Sequence, residues 1–469
     1  MNERQKQIST IDRVVASGSC VGCGACSVRT GGAIPVRLND FGVWQANLDT
    51  ADSAARAAGS IVCPFADESP NETALAEELF PSGLETHPEL GRLQGVFTAQ
   101  VSDEAYLEGS SSGGLTSWIL LQLLEQGLID GVIHVGHSTD ELFSYVVSHS
   151  HSEVLERRKS AYYSTSMTSA IESVRGNGKK YAVVGVPCFV TAARLLCRAD
   201  SELSSQLRFF VGLVCGHLKS AAFAELLAWQ TGIAPHDLES VDFRVKVQGR
   251  DAASYDFSAV GRNGETHHRP TRELLGGNWG HGMFQLDACN YCDDVFAETA
   301  DVVLGDAWLP EFVHDWRGTN IVVTRNATIQ AILEAGSSAG SIHMAPLTPA
   351  KAVFSQAGNF RHRRDGLALR LYDDKVEGRW SPTKRVSASN TMPMPRQRIV
   401  RARRDLSSSS HTVFREAKKQ NRLDYYETHI SLALERYTKA SRSTLPHRIA
   451  GLPARALRLT RRYLRGRIL

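Results

Sequence analysis

Apolar runs broken by Gly, Pro and polar turns organise the middle of this chain. Leu115 to Leu124 is strongly apolar and predicts a helix stopped at Gly127. The segment Gly131-Val132-Ile133-His134-Val135 predicts a strand. Tyr181 to Val186 and Phe209 to Val214 are short continuous apolar runs, the pattern of strands covered on both faces. Asp301-Val302-Val303-Leu304 and Asn320-Ile321-Val322-Val323 add two more. Strands alternating with helices predict an α/β body built on a mixed sheet.

Outside the body the pattern weakens. Residues 1–75 are short segments broken by Gly and Pro, which suits a small metal-stapled unit. The Pro- and Glu-rich stretch from Ser69-Pro70 to Pro88 reads as a connection to the body. From 346 onwards regular spacing fades, and Arg, Pro and Ser dominate between Arg379 and Ser410, predicting a linker of low order. Beyond it, Leu452, Ala456, Leu457, Leu459, Tyr463, Leu464 and Ile468 share one face of a helical wheel, with arginines opposite. Pro453 suits that helix's first turn. No repeat of solenoid period is present.

At 469 residues, two or three folding units are expected. The net charge of +3 conceals an asymmetry: residues 361–469 hold 27 Lys and Arg against 9 Asp and Glu, leaving 26 against 41 before them. A basic tail on an acidic body implies a surface of its own. Two remain open for the amphipathic helix: an anionic membrane surface, giving a membrane-peripheral protein, or the chain's own acidic body. Nucleic acid is not expected as a partner, because the tail lacks interleaved aromatics and nothing resembles a zinc finger or RNA module. With no leader at Met1-Asn2-Glu3-Arg4-Gln5 and no apolar run of bilayer length, the expected location is cytoplasmic. There, nine cysteines favour metal or redox chemistry over disulfides.

The cysteines carry the chemistry. Cys20-x2-Cys23-x2-Cys26, followed by Cys63-Pro64, has the spacing of a 4Fe-4S site, in which tight glycine-bearing turns aim three thiolates and a distant Cys-Pro closes the set. Zinc, the rival, more often uses two separated C-x2-C pairs. Cys289-x2-Cys292 is a pair, and Cys188 and Cys215 each follow an apolar run. In open α/β sheets ligands gather beyond the strands' carboxyl ends. Those ends here carry Pro187-Cys188, Cys215-Gly216-His217 and Gly305-Asp306, so the four cysteines read as a second site. Cys197 is left as a buried hydrophobe.

Gly109-Ser110-Ser111-Ser112-Gly113-Gly114-Leu115-Thr116 enters the apolar helix directly. Backbone amides, hydroxyls and the helix N-terminus suit a phosphate there. Leu115 stands where a nucleoside-triphosphate loop needs Lys, which disfavours phosphate hydrolysis. Beside two redox clusters, the diphosphate of a flavin dinucleotide is the simplest ligand.

The order of Ser112-Gly113-Gly114 with its helix, Gly127 to Ile133, Gly185-Val186-Pro187-Cys188, Gly212-Leu213-Val214-Cys215, Cys289-x2-Cys292-x-Asp294 and Ala300 to Trp308 resembles one family. It is the family of coenzyme F(420) hydrogenase/dehydrogenase beta subunits, some of which carry an N-terminal ferredoxin-type unit. The resemblance implies a body in two parts, 95–170 and 171–345, with a 4Fe-4S unit over 1–75 before it; the basic linker and tail over 346–469 are not part of the family's pattern. It implies FAD at the Ser-Gly-Gly loop (Gly109, Ser110, Ser112, Gly113, Gly114 and Thr116) and a 4Fe-4S cluster on Cys188, Cys215, Cys289 and Cys292. Lys159-Ser160-Ala161-Tyr162-Tyr163-Ser164 is similar to the family's stretch near the flavin, so Lys159 and Tyr162 are expected there. His217 and Asp306, at strand ends, are the candidates for proton delivery or flavin contact.

The function so implied is a flavo-iron–sulfur oxidoreductase with two 4Fe-4S clusters and FAD. Its expected partners are ferredoxin or another one-electron carrier and a small-molecule hydride acceptor or donor, the deazaflavin coenzyme in some relatives. The alternative is an electron-transfer adaptor within a larger redox complex or a surface-polysaccharide pathway, without its own substrate.

Overall fold

The computed structural model describes residues 10–139 and 141–442. An eight-stranded sheet forms its centre. In chain order its strands are β1 (Gly95–Val101), β2 (Gly131–Gly136), β3 (Ser144–Ser148), β4 (Tyr181–Gly185), β5 (Leu207–Leu213), β6 (Val302–Asp306), β7 (Asn320–Thr324) and β8 (Ile342–Pro346). Their spatial order is β8-β1-β7-β6-β5-β4-β2-β3. The central β6, β5, β4 and β2 run parallel. Antiparallel pairs complete both sides. Because β1 opposes β7 and β7 opposes β6, β1 points the same way as the central four.

β4 and β7 are buried along their whole length, which is why they read as continuous apolar runs rather than alternating ones. On one face, Leu115, Ile119 and Leu123 pack with Ile329 and Leu333 against Val132, Ala182, Val211 and Val302. On the other, Phe189, Ala193 and Leu196 of helix Pro187–Ala199 meet Ile133, Val183, Phe210 and Val303. Val14, Val21, Ala25 and Val28 join this second core, so the N-terminal segment lies on the sheet face. Met167 N donates to Cys23 O (3.0 Å) and Trp44 N to Ser164 Oγ (3.1 Å) across that contact.

The stretch expected as a connection, 69–88, contains helix Glu72–Leu79. Asn71 Oδ1 caps it by accepting from Ala74 N (3.0 Å), and Leu75 and Ala76 are buried. The low-order linker expected from Arg379 to Ser410 is a larger departure. Most of its second half belongs to the 27-residue helix Met394–Gln420, which pairs with helix Leu423–Arg442. Ile399, Val400, Leu406, Phe414 and Ala417 are buried, but so are Ser407 and Ser410 on the same helix. Ser407 Oγ donates to Gln285 O (3.2 Å), and Ser410 Oγ accepts from Phe284 N (2.8 Å). Serines in the buried seam hide the helical period from a hydropathy reading.

The basic C-terminal residues dock on the acidic body. Arg385 contacts Glu298 at 2.7 Å, Asp293 at 3.3 Å and Glu72 at 3.6 Å. The expected amphipathic segment Leu452 to Ile468 lies outside the described residues. Among those described, no helix is long and apolar enough to cross a membrane.

One buried cation holds the hairpin 85–93 to the loop carrying the second cysteine pair. Arg325 is 1% exposed and donates to the carbonyls of Arg92, Ala297, Ala300, Leu90 and Phe296 at 2.7–3.2 Å. Burial lowers its pKa to about 10. Arg325→Met would strand these carbonyls, and should cost on the order of 3 kcal/mol or more in urea unfolding. An unchanged midpoint would show that the five bonds contribute nothing net.

Candidate functional site

The parallel strands deliver their carboxyl ends to one edge of the sheet. β4 leads through Val186 into Pro187 and Cys188, and the proline opens the following helix at its first turn. β5 leads to Cys215, Gly216 and His217, and β6 ends on Asp306. The 3-10 turn Asp287–Asn290 brings in Cys289, with Cys292 just beyond. Cys188 is within electrostatic reach of Cys215, Cys289 and Cys292. Leu218 N donates to Cys289 Sγ (3.2 Å). The fully buried Arg363 donates to Gly216 O and Asp294 O, both at 3.0 Å, and faces Cys215, Cys289 and Cys292.

The N-terminal cysteines form a second group. Gly22 and Gly24 take positive φ (72° and 87°), and a Cβ on Gly22 would lie 2.3 Å from Trp44 O. These turns let Cys20, Cys23, Cys26 and Cys63 border one cavity of about 20 Å³. Ala46 N donates to Cys20 Sγ (3.4 Å). Cys188 is also within electrostatic reach of Cys23, so the two groups are neighbours. Burial pushes all eight thiols up, Cys23 and Cys215 to about 12 and Cys292 to about 11. Bare thiolates are unfavourable there, and a metal–sulfur bond is the partner that would offset their burial. Among the described residues, no three His, Cys, Asp or Glu side chains converge as ligands of a single ion. Cys197 faces Arg194 and Asp200, away from both groups.

A cavity of about 820 Å³ opens beside the second group. Ser110, Ser112, Gly114 and Thr116 line it, as do Lys159, Tyr162, Cys215, His217 and Asp306. Gly109 and Gly113 do not. Gly109 O accepts from Arg158 Nε (2.8 Å), and a Cβ on Gly113 would sit 2.8 Å from Asn320 Oδ1 and 2.9 Å from Ala99 O. Packing by itself therefore requires a glycine at 113. Asn320 Oδ1 accepts from Leu115 N (3.2 Å), occupying that amide at the helix start. Lys246 Nζ secures the loop from behind by donating to Leu107 O (2.6 Å) and Ser112 O (3.0 Å). The Ser112 hydroxyl is buried with no partner.

Lys159 Nζ lies 3.0 Å from Asp242 Oδ2 and donates to Arg244 O (3.2 Å). Tyr162 stands edge-on to Trp279, ring centres 4.8 Å apart. Asp306 is held by Arg244 through two bonds of 2.9 and 3.2 Å. His217 packs on Trp279 (4.6 Å), and its Nδ1 lies 3.4 Å from Arg403 Nη2. Burial first, then Lys219 and Arg403, hold His217 well below the usual imidazole range, so it is neutral. A guanidinium offers only donors, so Nδ1 accepts and Nε2 carries the hydrogen. That Nε2 is buried without a partner. Nine Lys and Arg residues but a single carboxylate, Asp306, line the cavity, which therefore suits an anion. Arg244, Lys219, Trp279, Arg363 and Arg403 went unread in the sequence, for none sits in a spaced motif.

Residues 178–350 match the model for the carboxyl-terminal part of the coenzyme F(420) hydrogenase/dehydrogenase beta subunit, and residues 96–172 match its N-terminal counterpart. The chain belongs to the family of coenzyme F(420) hydrogenase/dehydrogenase beta subunits. Both the N-terminal cysteine unit and the helices after 350 lie outside the matched stretches. The chain is similar to an F(420)H(2) dehydrogenase subunit of Methanosarcina mazei, 24% identical over 64% of this chain and 79% of that protein. It is also similar to a coenzyme F(420)-dependent sulfite reductase of Methanocaldococcus jannaschii, 25% identical over 64% of this chain and 44% of that protein. A chain of the F(420)-reducing NiFe hydrogenase complex of Methanosarcina barkeri superposes with a TM-score of 0.47 and 17% identity, covering 66% of this chain and all of that one. Family membership gives this chain a redox, electron-transfer role.

In this family member the Gly113 contacts predict that Gly113→Val destabilises the fold by about 1–3 kcal/mol through overpacking. The loss should appear in thermal unfolding with or without added flavin. A variant of native stability that merely fails to retain flavin would place Gly113 against the ligand instead.

Proposed function

We propose that this chain is a flavo-iron–sulfur oxidoreductase of a reducing compartment. It moves electrons, in either direction, between a ferredoxin-type one-electron carrier and a two-electron substrate such as a deazaflavin. The observation carrying this reading is the adjacency of two mostly buried four-thiol groups with one cationic cavity that reaches from Cys215 to an unpartnered Ser112 hydroxyl. Cys20, Cys23, Cys26 and Cys63 would hold one 4Fe-4S cluster, and Cys188, Cys215, Cys289 and Cys292 another. Clusters of this kind carry single electrons, and a flavin supplies the exchange between one- and two-electron chemistry. A C-x2-C-x2-C triplet closed by the distant Cys63-Pro64 fits a cubane better than zinc, which more often uses separated C-x2-C pairs.

The chain's own residues divide the remaining work. Ser110, Ser112 and Thr116 present hydroxyls to a diphosphate, with Lys159 nearby. Tyr162 and Trp279 form an aromatic wall that excludes water. His217, neutral and donating from Nε2, holds a proton facing the cavity. Asp306, committed to Arg244 by two bonds, acts as an acceptor that fixes Arg244. The adaptor reading draws support from a relative whose own name makes it one subunit among several. Turnover of a deazaflavin by the isolated chain with an artificial electron donor separates the two.

Anaerobically purified protein should contain about eight irons, four per cubane, and a flavin spectrum. Cys26→Ser or Cys292→Ser should each reduce iron towards half, while Cys197→Ser should leave it unchanged. Two zincs without iron would sink the assignment. Ser112→Ala should weaken flavin retention by about tenfold, the worth of one hydrogen bond to a charged group. Undiminished retention would move the diphosphate elsewhere.

A further inference from the structure

The helices beyond the matched stretches close one wall of the cavity, and they bring cations to it. Arg361 of helix Ala357–Arg363, and Arg396 and Arg403 of helix Met394–Gln420, line it beside His217 and Lys219. Among the described residues, none of these three arginines is paired with a carboxylate, nor is Lys219. Arg403 Nη2 has only neutral acceptors, Gln285 Oε1 at 3.1 Å, His217 Nδ1 at 3.4 Å and Trp279 O at 3.5 Å, and its Nε is buried without a partner. Lys219, 1% exposed, donates to Met283 O and lies 4.9 Å over the Trp279 ring. Burial, then Arg403, pushes Lys219 well below the usual lysine range, but neutral dipoles do not cancel the whole charge of Arg403 taken out of water. Cys289 faces Lys219 and Arg403, yet Arg363 already stands against the same thiol group.

His217 supplies an independent pointer. It is 6% exposed and lines the cavity, and its Nε2–H has no acceptor. Buried donors are nearly always satisfied, so an orphan on a cavity wall marks the place of a ligand acceptor. We propose that this part of the cavity is a subsite for an oxyanion, a carboxylate or phosphate of the two-electron substrate. Arg403, Arg396 and Arg361 supply the charge, and His217 Nε2–H a directed hydrogen bond. Only the word substrate rests on the proposed function; the anion subsite rests on the side chains. The subsite takes its arginines from the C-terminal helices and not from the Ser110–Thr116 loop, so it sets which substrates this chain accepts.

Calorimetric titration of the full-length, anaerobically purified protein with inorganic phosphate and, separately, with glutarate tests this. At least one probe should bind once per chain, and the one that binds identifies the oxyanion. Arg403→Gln and Arg396→Gln should each weaken that binding about tenfold. Lys418→Gln, which breaks the surface pair with Glu225 on the same helix, should not. Should Arg403→Gln fail to fold, the half-buried Arg396, which makes no side-chain hydrogen bond to a described residue, decides alone. Absence of binding by both probes, binding indifferent to the arginines, or equal weakening by Lys418→Gln would overturn the subsite. Iron and flavin content of the same samples separates the two readings. Arginine-dependent binding without iron or flavin refutes the oxidoreductase and leaves the subsite standing. Full cofactor content without such binding overturns the subsite alone.

Discussion

Parallel strands end on the same edge of their sheet, and the candidate site depends on that constraint. β4, β5 and β6 lie side by side, so Cys188, Cys215 with His217, and Asp306 emerge together although far apart in sequence. β1 runs the same way, which sends the chain towards the Ser/Gly loop from that edge too. Reversing any one of these strands would carry its chemistry to the opposite edge. Parallel sheets also need both faces covered. The N-terminal segment helps to cover one of them, and that packing is what brings Cys23 within reach of Cys188.

Charge accounts for the remaining assembly. The acidic first part and basic last part of the chain look unbalanced separately and fold into one another. Arg385 answers Glu72, Asp293 and Glu298, while Lys418 meets Glu225. Other cations are buried against backbone instead: Arg325 on five carbonyls, and Arg363 on two. Buried guanidinium groups are tolerable only with such saturation. At Arg403, on the cavity wall, that saturation is incomplete, for its Nε has no partner and no carboxylate faces it.

The C-terminal helices thus have two roles that the family's matched residues do not include. They pack over the loop that carries Cys289 and Cys292, with Tyr291 Oη donating to Asp374 (2.7 Å) and Arg370 Nε to Asn290 O (2.9 Å). They also contribute to a core apart from the two sheet faces, in which Phe414 and Tyr426 cluster with Phe284 and Phe223. The cavity gains a wall from sequence more than a hundred residues downstream of β5, in Arg361, Arg396 and Arg403.

By itself the sequence determined the buried central strands, the apolar helix at Leu115, the order of cysteine motifs and, through that order, the family. Each is written locally: continuous apolar runs require cover on both faces, and ligand spacing requires turns of fixed length. It also placed the chemistry at strand ends, because a strand's end is a local event. It did not show that Gly113 serves packing against Asn320, nor that helix Met394–Gln420 exists. The buried seam of that helix uses Ser407 and Ser410, whose hydroxyls are satisfied by backbone groups over a hundred residues away. Only the tertiary structure decided that Asp306 belongs to Arg244, that His217 keeps its hydrogen on Nε2, and which arginines face the cavity. Those outcomes turn on which charge lies within a few ångströms of which other after folding, and nothing in the spacing of residues along the chain encodes that distance.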